Sequence, residues 1–140
     1  MNINKEYIKE CENEIIQGLR IYESGYIDVP NRLHLKEGDR YCYKPDYRKN
    51  NIETRIEQIT CTANKDRFFW LPTGDQLDDE IIKICKKRFE SPWYELRHSS
   101  IGCDVVIEYY KEGKPIRIFK RHSNPLMAKI LLLKKLLEEK

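Results

Sequence analysis

The sequence predicts an α+β fold with antiparallel sheets, in the order α-β-β-β and then α-β-β-β-α, its helices packed on sheet. Three observations predict it. Apolar residues recur at steps of three and four in three separate stretches, the signature of half-buried helices. Between them lie short alternating segments bounded by turn residues, which read as strands. Nine Tyr, four Phe and two Trp in a chain that is 40% hydrophobic are too many aromatics for a disordered polypeptide.

Residues 4–22 read as the first helix. Asn4 caps it, and Ile8, Cys11, Ile15, Leu19 and Tyr22 form its apolar stripe, leaving Lys5, Glu6, Lys9, Glu12 and Glu14 to water. Gly18 inside it reads as close packing or simple tolerance. Gly25 ends the helix and Pro30 marks a linker. From Arg32 to Leu71 the pattern becomes three antiparallel strands. Lys36-Glu37-Gly38-Asp39 turns into Tyr41-Cys42-Tyr43, and Pro45 to Asn51 is a polar connection. Ile52 to Thr62 follows as a second strand, with Ile52 and Ile56 on one face but Ile59 and Cys61 on the other. That switch predicts a bulge or twist near Gln58. Arg67 to Leu71 is the final, fully apolar strand.

The second half is more regular. Pro72, Thr73 and Gly74 break the strand and open a helix that runs to about Phe89. Asp78, Asp79 and Glu80 crowd its start and Lys83, Lys86, Lys87 and Arg88 its end, matching the helix dipole. Leu77, Ile81, Cys85 and Arg88 or Phe89 draw its buried stripe, joined by Ile84. Ser91-Pro92 stops it. Trp93 to His98 alternates as a strand, with Tyr94 and Leu96 on one side and Trp93, Glu95 and Arg97 on the other. After the Ser99–Gly102 turn, Cys103, Val105, Ile107 and Tyr109 oppose Asp104, Val106, Glu108 and Tyr110. Lys111-Glu112-Gly113-Lys114 is a hairpin loop, and the return strand sets Ile116, Ile118 and Lys120 against Arg117, Phe119 and Arg121. Asn124-Pro125 is a cap followed by proline at the first helical position. The last helix carries Leu126, Ile130, Leu133 and Leu137, widened by Met127, Leu131, Leu132 and Leu136. So apolar a helix demands burial on most of its girth.

With 140 residues the chain reads as a single compact domain, 1–140, with possible sub-modules 1–70 (helix plus three-stranded sheet) and 71–140 (αβββα). The charged fraction is 35% but the net charge only +3. Residues 1–70 hold 12 basic and 12 acidic side chains, and residues 71–140 hold 14 and 11, so the second half carries the whole excess. No apolar run of ~18 residues could span a membrane, and the opening MNINKEYIKECENE has no signal-peptide pattern. A small soluble cytoplasmic protein is expected. Cys11, Cys42, Cys61, Cys85 and Cys103 are odd in number, with the nearest two 18 positions apart. That suits neither a disulfide framework nor a zinc ribbon, and reads as five reduced thiols packed as small hydrophobes.

The chemistry-bearing motifs are sparse. Nucleotide-binding glycine loops, zinc-protease, calcium-loop and serine-hydrolase signatures do not occur. His34, His98 and His122 are the candidates to titrate or bind metal, and His98 lies near Cys103 across a hairpin, but two ligands do not make a site. Asp46 followed by Glu53-Thr54-Arg55 imitates a magnesium-dependent nuclease, with arginine where the poised lysine belongs; arginine holds its proton too tightly to act as a base. Solvated strand faces with cross-strand ion pairs explain those residues as well. A cleft assembling His98, Asp104 and Glu108 is the remaining catalytic option. No catalytic residue, metal or cofactor is expected, and the chain reads as a non-enzyme.

The outward face of the second sheet is the candidate binding face: Trp93, Arg97, Tyr110, Arg117, Phe119 and Arg121, interleaved with Glu95 and Glu108. Arginines among aromatics can stack bases and hold phosphates. Burial of Trp93 and Phe119 under the first half of the chain, or contact with a protein, explains the same residues. A net charge of +3 is a weak electrostatic footprint for nucleic acid.

The run Trp70-Leu71-Pro72-Thr73, with Gln76-Leu77 opening a helix, reads W-L-P-T-x-x-Q-L. Followed by an aromatic strand, a hairpin and a Leu-rich closing helix, it resembles small uncharacterised phage and prophage proteins of the phage ABA sandwich type, over about residues 68–138. The resemblance implies an accessory role and carries no catalytic residue. The order helix, three strands, helix is also similar to the double-stranded RNA-binding domain, with Met127-Ala128-Lys129 matching the Ala-Lys at the start of that family's last helix. The chain departs from it at Ser123-Asn124-Pro125-Leu126, where that family has a basic cluster, and at Ser99–Gly102, where it has a G-P-x-H loop. These readings predict a phage-related accessory protein that works by protein binding or by self-association, as a homodimer through the last helix or the sheet face, with no membrane partner. The alternative is nucleic-acid binding through the aromatic, basic sheet face.

Overall fold

The computed structural model describes residues 5–21, 32–36, 39–44, 56–58, 62–64 and 66–139; of residues 32, 34, 56–58 and 62–64 it describes the backbone alone. The fold is α+β with antiparallel sheets, and the chain divides into two compact units, Met1–Thr73 and Gly74–Lys140.

In the first unit the helix expected over residues 4–22 is broken. Helix α1 spans Lys5–Cys11 and α2 spans Glu14–Gln17, and a 3-10 turn, Gly18–Arg20, follows. Asn13 causes the break. Its backbone leaves the helical region (φ −57°, ψ 132°) and its side chain accepts the N–H of Ile15, the competition with helix bonding that makes Asn a good cap and a poor interior residue. The restart shifts the apolar phase. Ile8, Cys11 and Ile16 are buried, whereas Ile15, expected in the stripe, is exposed. Gly18 has open space around its α-carbon, so close packing does not explain it. Asn4, Tyr22, Gly25 and Pro30 lie outside the described residues.

Among the described residues five strands stand where three were expected: β1 Arg32–His34, β2 Arg40–Tyr43, β3 Ile56–Gln58, β4 Thr62–Asn64 and β5 Phe68–Leu71. They form a two-stranded sheet β1-β4 and a three-stranded sheet β3-β2-β5, all antiparallel. The segment read as one strand with a bulge near Gln58 is two strands in different sheets. The Pro45–Asn51 connection lies outside the described residues.

The open edge of β5 is closed by a side chain. Gln17 donates from Nε2 to the Trp70 carbonyl (2.9 Å) and accepts the Trp70 N–H at Oε1 (2.6 Å), so one carboxamide supplies both bonds of a neighbouring strand. Tyr7 donates its hydroxyl to the Pro72 carbonyl at 2.5 Å. Arg20 lies 3.8 Å from the centroid of the Trp70 ring and donates from Nε to Asp39 at 2.8 Å. Asp39 also accepts the Lys36 N–H, at 2.9 Å.

The second unit follows its prediction closely. Helix α3, Gly74–Arg88, leads to β6 Glu90–Ser99, β7 Gly102–Lys111, β8 Lys114–His122 and helix α4 Pro125–Glu138. Strand β6 begins three residues earlier than expected, because Ser91 adopts a positive φ of 49° and the register shifts between Glu90 and Trp93. The Glu112-Gly113 loop has positive φ at both residues (53° and 76°), the geometry that matches the twist of a two-residue hairpin. Asn124 caps α4, accepting the N–H groups of Leu126 (2.9 Å) and Met127 (3.5 Å), with Pro125 in the first turn.

Helix α3 packs on β6 and on α4, and α4 packs on β7 and β8. Both helices therefore cover one face of the β6-β7-β8 meander. Leu77, Ile81 and Cys85 are buried, as are Val105, Ile107, Ile130, Leu132, Leu133 and Leu136. Asp78 ties three elements together by accepting from Tyr94 (2.6 Å) and pairing with Lys129 (3.0 Å). Arg88 is exposed rather than part of the buried stripe, and its Nη1 donates to the carbonyls of Leu136 (2.5 Å) and Glu139 (2.7 Å). It thereby satisfies the C-terminal carbonyls of α4. Phe89 stacks on Tyr109, centroids 4.0 Å apart. Among the described residues no helix is long and apolar enough to cross a membrane.

Candidate binding face

Strand alternation in β6-β7-β8 leaves one face to the helices and turns the other outward. The register sets three cross-strand rows on the outer face: Trp93–Glu108–Arg117, Glu95–Val106–Phe119 and Arg97–Asp104–Arg121. Tyr110, opposite Pro115, stands beyond the first row. All six residues of the expected binding face thus share one surface. Trp93, Tyr110 and Phe119 are 61%, 51% and 50% exposed.

The arginines are not free to hold phosphate. Arg121 grips Asp104 with two bonds, Nε to Oδ1 at 2.7 Å and Nη2 to Oδ2 at 3.0 Å. Arg117 places Nε and Nη2 at 3.0 and 2.6 Å from one oxygen of Glu108. Arg97 pairs with Glu95 along its own strand and reaches toward Glu108 at 3.6 Å. The hydrogen bond from Arg121 holds the Asp104 carboxyl below the usual carboxylate range and raises the guanidinium in turn. Within the three rows three arginines meet three carboxylates, and the rows carry no net charge. Asp104 and Val106 share this side by strand alternation, as expected, although neither is among the residues expected to bind. The Glu112-Gly113 hairpin adds their partners, because its two-residue loop fixes which residue of β7 opposes which of β8.

The other candidates do not converge. His98 points to the helix-covered side, where its Nδ1 lies 3.3 Å from Cys103 Sγ, whereas Asp104 and Glu108 are engaged on the outer side. The His98, Asp104 and Glu108 cleft therefore does not form. His122 opposes Cys103 from β8, but its Nδ1 accepts the Asn124 N–H at 3.0 Å. Among the described residues no three metal-ligating side chains stand together as a metal site. His34 lies in β1 with its side chain outside the described residues, as do Asp46, Glu53, Thr54, Arg55 and Cys61. Cys11, Cys42, Cys85 and Cys103 are buried free thiols, and burial pushes Cys85 up to about 11.

The last helix offers less than the sequence suggested. Leu126, Leu131 and Leu137 are partly covered and the remaining leucines of α4 are buried, so no fully exposed leucine stripe remains on it. Compared with known proteins, the chain matches no family model, no curated protein and no solved structure.

Proposed function

We propose that this chain works by binding rather than by catalysis, and that the outer face of β6-β7-β8 is its contact surface for protein. A cytoplasmic accessory role of the phage ABA sandwich type accompanies this reading. The observation that carries it is the combination of three half-exposed aromatic residues with arginines already neutralised by carboxylates of the same face. Exposed Trp, Tyr and Phe beside Arg are the side chains enriched where proteins meet. Nucleic acid wants the same residues with their positive charge unspent, because release of counterions from phosphate supplies most of the affinity.

Two measurements test it together. A photo-crosslinking amino acid placed at Phe119 in cells producing the chain should yield protein adducts that are missing when it replaces Lys87 on α3. Purified protein titrated into double-stranded RNA, duplex DNA and single-stranded DNA should show no salt-sensitive binding. Nucleic-acid binding that weakens with salt and with Arg117→Ala and Arg121→Ala would replace this reading with the nucleic-acid one. Absence of any protein adduct would remove it.

A further inference from the structure

We infer that the β7-β8 half of this face recognises a second copy of the same chain, an inference that rests on reading the face as a protein contact. The register carries it. On the outer side β7 presents Asp104, Val106 and Glu108, and β8 presents Arg121, Phe119 and Arg117, each opposite its partner in that order. One strand is therefore acid, valine, acid and the other arginine, phenylalanine, arginine.

Consider a twofold axis lying in the contact plane, parallel to these strands and midway between them. Rotation about it lays β7 of one copy over β8 of the other, and β8 over β7. Each carboxylate then faces an arginine across the interface, and Phe119 lies over the position of the buried Val106, twice over. This is the isologous condition, in which a residue i meets j while j meets i. The pairs formed between copies are the pairs already compatible within one copy, so no charge meets its own sign. Packed sheets sit about 10 Å apart and are rotated by about 30°. The Val106–Phe119 row lies at the centre, where that rotation displaces side chains least. The flanking rows need only the reach of an arginine. Val106 is 3% exposed and Phe119 50%, which makes Phe119 the projecting apolar group at the centre. Trp93, one strand away, falls at the margin, where an aromatic shields the centre from water.

Charge selects this occupant. With three carboxylates and three arginines in contact with each other, the face attracts neither a polyanion nor a strongly acidic or basic protein. Its own pattern complements it. Size sets the strength. Two strands of about ten residues span about 10 Å by about 33 Å, a footprint of about 330 Å² per copy, well below the ~800 Å² per partner of a standard interface. The dimer is accordingly weak and concentration-dependent, with a midpoint between about 10 µM and about 500 µM.

Sedimentation equilibrium of the full chain from about 5 µM to about 1 mM tests it. The weight-average mass should rise from 16.9 kDa toward twice that value. Phe119→Ser should remain at the monomer mass. Two charge variants sharpen the result. Asp104→Lys with Glu108→Lys makes both strips basic, and Arg117→Glu with Arg121→Glu makes both acidic. Each alone should be monomeric, and an equimolar mixture should associate at least tenfold more tightly than the wild type, unless both chains also carry Phe119→Ser. Circular dichroism of each variant confirms that it is folded. A wild type that stays monomeric at about 1 mM, or a Phe119→Ser chain that dimerises like the wild type, overturns the inference. The masses of the crosslinked adducts separate the two failures: adducts with other proteins but none at twice the chain mass sink the second copy and leave the protein-binding reading standing.

Discussion

Two arginine–carboxylate pairs in this chain use the same chemistry in opposite surroundings. Arg20 and Asp39, in the first unit, have side chains 4% and 0% exposed. Arg121 and Asp104, on the outer face of the second, are 51% and 20% exposed. Their nearest contacts are nearly equal, 2.8 and 2.7 Å, so distance does not distinguish them. Solvent does. A buried pair that loses one member has no bulk water to take its place, whereas an exposed pair exchanges its partner for water at little cost. The first pair therefore fixes the packing of Arg20 over Trp70, and the second keeps a surface patterned.

The largest effect should come from breaking the buried pair. Asp39→Asn removes the buried carboxylate charge that Arg20 grips beside Trp70, and should cost about 3–5 kcal/mol in urea denaturation. A loss under about 1 kcal/mol would mean that the pair behaves like a surface one and would erase the contrast.

Next is the inner face of the second unit. Tyr94→Phe removes the bond to Asp78 but leaves Asp78 paired with Lys129, so about 1–2 kcal/mol should be lost. Burial first, and the Asp78 carboxylate second, raise the Tyr94 phenol above its ordinary 10.0. The unfolded chain then releases this proton first, so the stability linked to Tyr94 is complete below pH 10 and is lost as pH rises beyond it. Cys85, raised from 9.0 to about 11 by burial, acts in the same direction from pH 9 upward. Denaturation midpoints at pH 8 and pH 11 should show wild type and Tyr94→Phe drawing closer together at the higher value. Parallel losses would remove Tyr94 as a contributor.

What the sequence made legible follows from how local each determinant is. The second unit is built from signals that act within a few residues: the Asn124-Pro125 start, the Glu112-Gly113 turn and strict alternation from Trp93 to Arg121. Its elements and its outward face could be read almost residue by residue. The first unit depends on partners far along the chain. Nothing near Gln17 announces that its carboxamide will complete the edge at Trp70, 53 residues away, and nothing near Arg20 announces Asp39. The break at Asn13 was legible in principle, since Asn at the middle of an expected helix is an invitation to cap, but the apolar spacing of Ile8, Cys11 and Ile15 outweighed it. The candidate face was found by alternation. Its neutrality was missed because alternation gives the side of a sheet without the cross-strand partner, and the partner turns a basic platform into a paired one.

Smaller effects sharpen the contrast at its exposed end. Asn124→Ala should cost about 1 kcal/mol, the usual loss for a cap with no substitute acceptor, measured by the same urea titration. Arg121→Gln should leave the urea midpoint unmoved, because water replaces what Asp104 loses. Since Arg121 holds the Asp104 carboxyl low, the stability linked to that group is present above the ordinary carboxylate range and fades as pH falls through it; salt should screen even this small dependence. The same substitution should nevertheless weaken self-association in sedimentation, because in the contact between copies each Arg121 faces the partner's carboxylate out of reach of bulk water. A variant silent in folding and visible in assembly is what separates a recognition pair from a structural one. If Arg121→Gln instead destabilised the monomer as Asp39→Asn does, the outer pair would be part of the fold and the face would lose its claim to be a contact surface.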